Sequence, residues 1–95
     1  MVIDQPVSVV WTEYFKHRVA LRGFQIDKLE EILRYSNERY YDTVTNRMVV
    51  VGRHGDLLVV MPYDTHEQDI VPVTVHATSR QQIGHRLKTG RFKSE

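Results

Sequence analysis

The chain has 95 residues, of which 41% are hydrophobic and 26% charged, with a formal net charge of +1 and no cysteine. This length and composition predict one folded domain spanning 1–95. The lack of cysteine excludes thiolate metal sites and cysteine nucleophiles, and it favours a reducing cytoplasm. The apolar runs are far shorter than the ~20 residues of a membrane-spanning helix, and no signal-like segment is visible. We therefore expect a soluble, cytoplasmic protein that does not enter a membrane.

The first helix is predicted near the start of the chain. Residues 1–6 are typical of a loose lead-in, and the β-branched stretch 7–12 favours a short strand. The segment 13–22 predicts a helix, because Thr12 can cap its start and Gly23 can end it.

A second helix is predicted over 28–35. Asp27 and Glu30 stand three positions apart, which is close to the spacing of a capping box. The apolar stripe of this helix consists of Leu29, Ile32 and Leu33.

From residue 39 the pattern changes to that of strands. The segments 39–43, 47–53, 57–63 and 70–77 are rich in β-branched or aromatic residues and are separated by polar breaks. Short links favour antiparallel pairing in meander order. Pro72 cannot donate a ladder hydrogen bond, so we expect an edge or a bulge at that end of the last strand.

A short helix follows the last strand. Thr78 and Gln81 have capping-box spacing, Gly84 weakens the helix, and Gly90 is expected to end it. Residues 91–95 are predicted to be a loose basic tail.

These elements predict an α+β fold. We expect two N-terminal helices packed on one face of an antiparallel sheet of three to five strands. The short C-terminal helix is expected near an edge of that sheet.

The positive charge is concentrated at the end of the chain. Residues 80–95 contain five Lys or Arg residues against the single acid Glu95. Such a cluster is typical of a phosphate-binding surface or of a docking site for an acidic partner. It is equally typical of a solvated helix face followed by a frayed tail.

Three segments carry a resemblance to a known family: RVALRGFQIDKLEEIL, NRMVVVGRHGDLLVVMPY and VTVHATSRQQIGHRL. In order and spacing they resemble the BrnT-like toxins of the RelE/ParE superfamily, which belong to toxin–antitoxin pairs. The resemblance covers roughly residues 8–92. It implies a RelE/BrnT-like fold and a metal-independent endoribonuclease that cleaves mRNA.

In toxins of this kind the 2′-hydroxyl of the RNA attacks the adjacent phosphate. Arginine suits the binding of phosphate, and histidine suits proton transfer near neutral pH. The candidate catalytic residues are His76, Arg80, Arg53 and His54. The candidate RNA-binding residues are Arg86, His85, Lys88 and Arg91.

The resemblance also implies partners. They are an antitoxin protein and RNA, either free or associated with the ribosome. An oligomer with the antitoxin or with further copies of the chain is also implied. No cofactor is implied. The histidines lack metal-ligand spacing, so no metal site is predicted.

Other interpretations remain open. Only Arg80 is basic in the stretch that follows Ala77 and Thr78, which favours a non-catalytic, ParE-like or degenerate-toxin binding module. A small housekeeping α+β protein is also compatible with the sequence. A strand histidine such as His76 is more often structural than catalytic, and Arg18 and Arg22 fit salt bridging on a helix surface.

Overall fold

The computed structural model describes residues 8–94, which form an α+β fold. The predicted lead-in 1–6 and Glu95 lie outside the described residues. Within the described range, no helix is both long enough and apolar enough to cross a bilayer. The elements in chain order are β1 (Ser8–Val9), α1 (Glu13–Leu21), α2 (Ile26–Tyr35), β2 (Arg39–Asp42), β3 (Arg47–His54), β4 (Leu57–His66), β5 (Asp69–Pro72), β6 (His76–Ala77), α3 (Arg80–Lys88) and β7 (Phe92–Ser94).

The strands form one open sheet in the order β1-β5-β4-β3-β2-β7, and β6 also pairs with β4. All pairs are antiparallel except β1 with β5, which is parallel. The α+β class is confirmed, but the prediction of three to five antiparallel strands is wrong, since the described sheet has seven. β1 lies within the short strand predicted over 7–12, and β5 and β6 divide the strand predicted over 70–77. Only β7, which has three residues, falls in a segment that was not predicted to be a strand.

Both faces of the sheet are covered by helices. One face, called here the helix-pair face, buries Val50, Val59 and Met61 together with side chains of α1 and α2. The other, called the α3 face, buries side chains of β3, β4, α3 and β7. The members of this second cluster are Val49, Val51, Leu58, Val60, Ile83 and Phe92.

The helix α3 lies over one face of the sheet and also contacts the edge strand β7. Its buried residue Ile83 clusters with side chains of the central strands β3 and β4 and with Phe92 of β7. The central strands β3 and β4 are apolar on successive residues and so present two hydrophobic faces that need cover.

The first helix begins and ends as predicted. The Oγ1 of Thr12 accepts a 3.1 Å hydrogen bond from the backbone nitrogen of Phe15. Gly23 follows the helix at a φ of 77°, a conformation that favours glycine. The second helix starts earlier than predicted, at Ile26, so Asp27 lies in its first turn and does not cap it.

The last helix starts one residue later than expected. The Oγ of Ser79, not that of Thr78, accepts a 3.1 Å hydrogen bond from the backbone nitrogen of Gln82. Gly90 follows the helix at a φ of 82°, as expected for a helix end.

The last long strand predicted from the sequence is divided into β5 and β6, both paired with β4. Pro72 lies opposite Tyr63, and His76 lies opposite Val60. Three residues, 73–75, therefore stand against two on β4, which makes a β-bulge. The predicted irregularity at Pro72 is confirmed.

The end of the described chain is ordered as a strand, whereas we expected a loose basic tail over 91–95. Phe92 is buried, and β7 pairs with β2. Arg91 donates two hydrogen bonds to the buried Asp42, from Nε at 3.1 Å and Nη2 at 3.0 Å. The buried ring of Phe92 and the ion pair between Arg91 and Asp42 thus order a segment whose basic, polar composition predicted a loose tail.

Candidate functional site

An open groove of about 470 Å³ lies on the α3 face. Its walls come from β3, β4, the bulge, β6, α3 and the start of β7. The polar and charged side chains along it include Asp42, Arg47, His76, Gln82, Arg86 and Arg91.

His76 occupies one wall of this groove. Its pairing with Val60 sets it on the α3 face, while the preceding Val75 is buried in the core of the helix-pair face. The residue is exposed overall, yet partial burial lowers the pKa of its imidazole below the usual 6.5, and the positive charges of Arg22, Arg86 and Arg18 add to this effect. The neutral imidazole, the form that can accept a proton, is therefore favoured near neutral pH.

Two of these arginines come from α1 and its end. The Nη1 of Arg22 donates a 2.6 Å hydrogen bond to the carbonyl oxygen of Val75. Arg18 donates a 3.3 Å hydrogen bond to the hydroxyl of Tyr14, and its guanidinium carbon lies 5.8 Å from the centre of that ring. Both belong to the helix on the opposite side of the sheet, which reaches the bulge at the sheet edge.

The third arginine comes from α3. The guanidinium carbon of Arg86 lies 5.5 Å from the ring centre of Phe92, in a cation–π geometry. Among residues 8–94, the ion pairs do not include Arg18, Arg22 or Arg86. Their charges are therefore not neutralised by a carboxylate of the described chain. We call Arg18, Arg22, His76 and Arg86 the bulge cluster.

The other arginines of the groove are already paired. Arg91 binds Asp42, and Arg47 binds Asp64 at 3.0 Å. Burial alone would raise the pKa of Asp42, but the hydrogen bonds from Arg91 and from the backbone of Val44 hold it below 3.8. Arg91 lies in the groove as an RNA-binding residue would, but its guanidinium stabilises β7.

Arg80, predicted to be catalytic, binds Glu38 and does not line the groove that contains His76. Its Nη1 donates a 2.6 Å hydrogen bond to the Oε2 of Glu38, which also accepts a 2.7 Å bond from the hydroxyl of Tyr40. Burial would raise the pKa of Glu38, but these hydrogen bonds and the charge of Arg80 lower it. Burial and the neighbouring carboxylate raise the pKa of Tyr40 to about 12. Through Glu38, this network connects Arg80 at the start of α3 to Tyr40 of β2.

Arg53 and His54 lie on opposite faces of the sheet. Arg53 pairs with Leu58 on the α3 face, and its Nη1 donates to the carbonyl of Asp56 at 3.4 Å. It does not line the groove. Successive residues of a strand alternate between faces, so the sequence already carried the signal that separates this pair.

His54 instead supports the helix-pair face. Its Nε2 accepts a 2.9 Å hydrogen bond from the backbone nitrogen of Gln25, which caps α2. Its ring meets the ring of Phe24 edge to face, with centres 5.1 Å apart. The structure therefore places His54 at the start of α2 and not beside His76.

Sequence reasoning missed the contribution of α1. Arg22 and Val75 are 53 residues apart, and nothing in the sequence indicates this contact. Of the predicted RNA-binding residues, Arg86 and Arg91 line the groove, whereas His85 and Lys88 are exposed on α3 outside it.

Within the described part of the chain, 8–94, no three His, Cys, Asp or Glu side chains are grouped so that they could hold a metal ion. Comparison with protein-family models, with curated proteins and with solved structures gave no match. The bulge cluster thus offers an imidazole able to take up a proton and a guanidinium, that of Arg86, in the same groove, with Arg22 bound to the residue before His76 and Arg18 on the α1 side of the bulge.

Proposed function

We propose that this protein is the toxin of a toxin–antitoxin pair, acting in the cytoplasm as a metal-independent endoribonuclease. The observation that carries the proposal is the bulge cluster: His76 and Arg86 line one groove, Arg22 binds the carbonyl of the preceding Val75, and the arginines of the cluster have no carboxylate partner within residues 8–94. The resemblance of three segments to BrnT-like toxins of the RelE/ParE superfamily supports it independently. RNA and an antitoxin are the partners that follow from this proposal.

The proposed reaction uses a nucleophile of the substrate. His76 removes the proton from a 2′-hydroxyl, whose oxygen bonds to the adjacent phosphorus while the bond from phosphorus to the 5′-oxygen breaks. Arg22 and Arg86 stabilise the negative charge that builds on the phosphate oxygens. The 5′-oxygen takes a proton from solvent. The products are a 2′,3′-cyclic phosphate and a 5′-hydroxyl.

A non-catalytic binding module of the ParE-like or degenerate-toxin type is the second candidate. A specific observation favours it: two of the four residues predicted to be catalytic have structural partners, Arg80 with Glu38 and His54 with Gln25. On this alternative the bulge cluster binds the acidic surface of another protein and no bond is broken.

Cleavage of RNA in the presence of a chelator separates the two candidates. Purified protein would be incubated with end-labelled mRNA, free or bound to ribosomes, in excess EDTA, and with the same sequence as DNA. We expect RNA to be cut to 2′,3′-cyclic phosphate ends and DNA to stay intact. The cleavage rate should rise with pH and level off, because the imidazole of His76 must be neutral to accept the proton. The midpoint should lie below 6.5, since the pKa of His76 is lowered from that value. Intact RNA in both forms would refute the nuclease.

The antitoxin is tested in cells. Expression of the chain should arrest growth, and co-expression of a small protein from the neighbouring reading frame should restore it. Arrest that persists in a His76→Gln variant would favour the binding module, because that variant keeps the surface charge of the arginines.

A further inference from the structure

A second hollow adjoins the groove on the other side of the bulge. It has a volume of about 260 Å³ and lies between α1 and residues 73–75. Val73 and Thr74 line both this hollow and the groove, so the two depressions share one wall. A ligand that crosses this wall would contact His76 on one side and α1 on the other.

The lining of the hollow combines an apolar floor with a cationic rim. Phe15, Val19 and Val75 form part of the lining and are buried, and Arg18 and Arg22 stand beside them. This combination suits a flat, largely apolar group that is attached to a negative charge. The volume is below the roughly 300–1,000 Å³ of pockets for drug-sized ligands, so the hollow suits a single ring system.

Tyr14 adds a flat aromatic surface to the same hollow. The residue lines the hollow while 67% of its surface remains exposed, which the packing of the core does not explain. Arg18 holds its hydroxyl at 3.3 Å, so the ring has a defined position beside a guanidinium. Tyrosine rings and arginine planes are the surfaces on which proteins stack unpaired nucleobases.

We infer that this hollow is a nucleobase subsite, in which one base of a single-stranded RNA stacks on Tyr14 while its phosphate reaches Arg22 and His76. The inference rests on the proposed function for the identity of the ligand, and it adds a substrate class. A base inside a duplex is already stacked and cannot enter, so the substrate is single-stranded. Stacking depends little on sequence, so this subsite selects an unpaired base and not one particular base.

The test is a binding measurement that needs no cleavage. Binding of a fluorescent single-stranded RNA with methylated 2′-hydroxyls, which cannot be cut, would be followed by anisotropy. We expect Tyr14→Ala to weaken binding roughly 10-fold, since stacking of one base contributes on that scale, and Tyr14→Phe to bind as the unaltered protein does. The matched control is Tyr35→Ala, because Tyr35 on α2 is 65% exposed but lies outside the hollow. Circular dichroism verifies that each variant is folded.

An abasic oligonucleotide of the same length isolates the role of the base. The unaltered protein and Tyr14→Ala should bind it equally weakly. The subsite would be overturned if the two proteins bound the base-containing RNA with equal affinity, or if removal of the base weakened binding by the same factor in both. It would also be overturned if neither oligonucleotide bound. Loss of antitoxin binding alone in Tyr14→Ala would overturn it as well, since the hollow would then hold a peptide.

The outcomes for the two proposals are distinguishable. If the protein binds RNA through Tyr14 but leaves cleavable RNA intact, the subsite is supported and the nuclease activity is refuted. If the protein cuts RNA but Tyr14→Ala binds RNA with unchanged affinity, the nuclease activity is supported and the subsite is refuted.

Discussion

Arg22 donates a 2.6 Å hydrogen bond from Nη1 to the carbonyl oxygen of Val75, the residue that precedes His76. The donor ends α1, which packs on the helix-pair face, whereas His76 lines the groove on the α3 face. The bond therefore connects the two sides of the sheet at the bulge. The bond sets the position of the strand that carries His76, the proposed general base, and brings the guanidinium of Arg22 close to that strand.

Replacing Arg22 should weaken RNA binding in a salt-dependent way. In Arg22→Gln one phosphate contact is lost, so the slope of log affinity against log salt concentration should become shallower by about 0.7, the value for single strands. Titrations at several salt concentrations measure this slope. Arg34→Gln is the control, because Arg34 on α2 pairs with Glu30. An equal change of slope in both variants would show that Arg22 has no special role.

His54→Ala should destabilise the protein without affecting cleavage. The variant loses the hydrogen bond to Gln25 and the edge contact with Phe24, so the free energy of unfolding should fall by about 1 kcal/mol. Urea unfolding measures the loss, and cleavage per folded molecule is measured at a temperature where the variant stays folded. A large loss of cleavage with unchanged stability would place His54 in the site after all.

The Asp42–Arg91 pair should be important for stability and sensitive to acid. Asp42→Ala leaves Arg91 unpaired and frees β7, so the free energy of unfolding should fall by about 2 kcal/mol. Arg47→Ala, which breaks the more exposed pair with Asp64, should cost less than about 1 kcal/mol.

The pH dependence of this pair follows from the depressed pKa of Asp42. Its pKa is lower in the folded state than the ordinary 3.8, so the stabilisation is complete above pH 3.8 and is lost as the pH falls through the folded value. Unfolding of Asp42→Asn should therefore depend less on pH in this acid range than that of the unaltered protein. Identical acid profiles would contradict the assignment.

Gly52 of β3 lies directly against the side chain of Ile32 on α2. A Cβ at this position would lie 2.7 Å from Cγ2 of Ile32 and 2.8 Å from its Cγ1, which is too close. Gly52→Ala should thus lower the free energy of unfolding by about 1–3 kcal/mol. Ile32→Ala removes both clashing atoms, so the loss of stability in the double variant should be smaller than the sum of the losses in the two single variants. Strict additivity would argue against this contact.

Patterns that act over a few residues were read correctly from the sequence. The cap at Thr12, the helix end at Gly23 and the irregularity after Pro72 each depend on the chemistry of one residue and its neighbours. Errors of one or two positions occurred where two polar residues compete for a cap, as Thr78 and Ser79 do.

Contacts between distant segments were beyond sequence reasoning. His76 was identified and does line a groove, but the arginines expected beside it, Arg80 and Arg53, have other partners or lie elsewhere. The cations that do affect its pKa include Arg18 and Arg22, which only the folding of α1 against the bulge brings near. The continuous apolar runs of β3 and β4 are typical of strands covered on both faces, but we expected helices on one face and the last helix near an edge.

The most direct test of the proposed nuclease compares two single histidine variants in one assay. RNA cleavage in EDTA would be measured for the unaltered protein, for His76→Gln and for His66→Gln, which alters an exposed histidine at the end of β4. Loss of a general base costs on the order of 10²–10⁴-fold in rate, so His76→Gln should be slower by at least roughly 100-fold while His66→Gln cleaves normally. Equal cleavage by all three proteins would contradict the account.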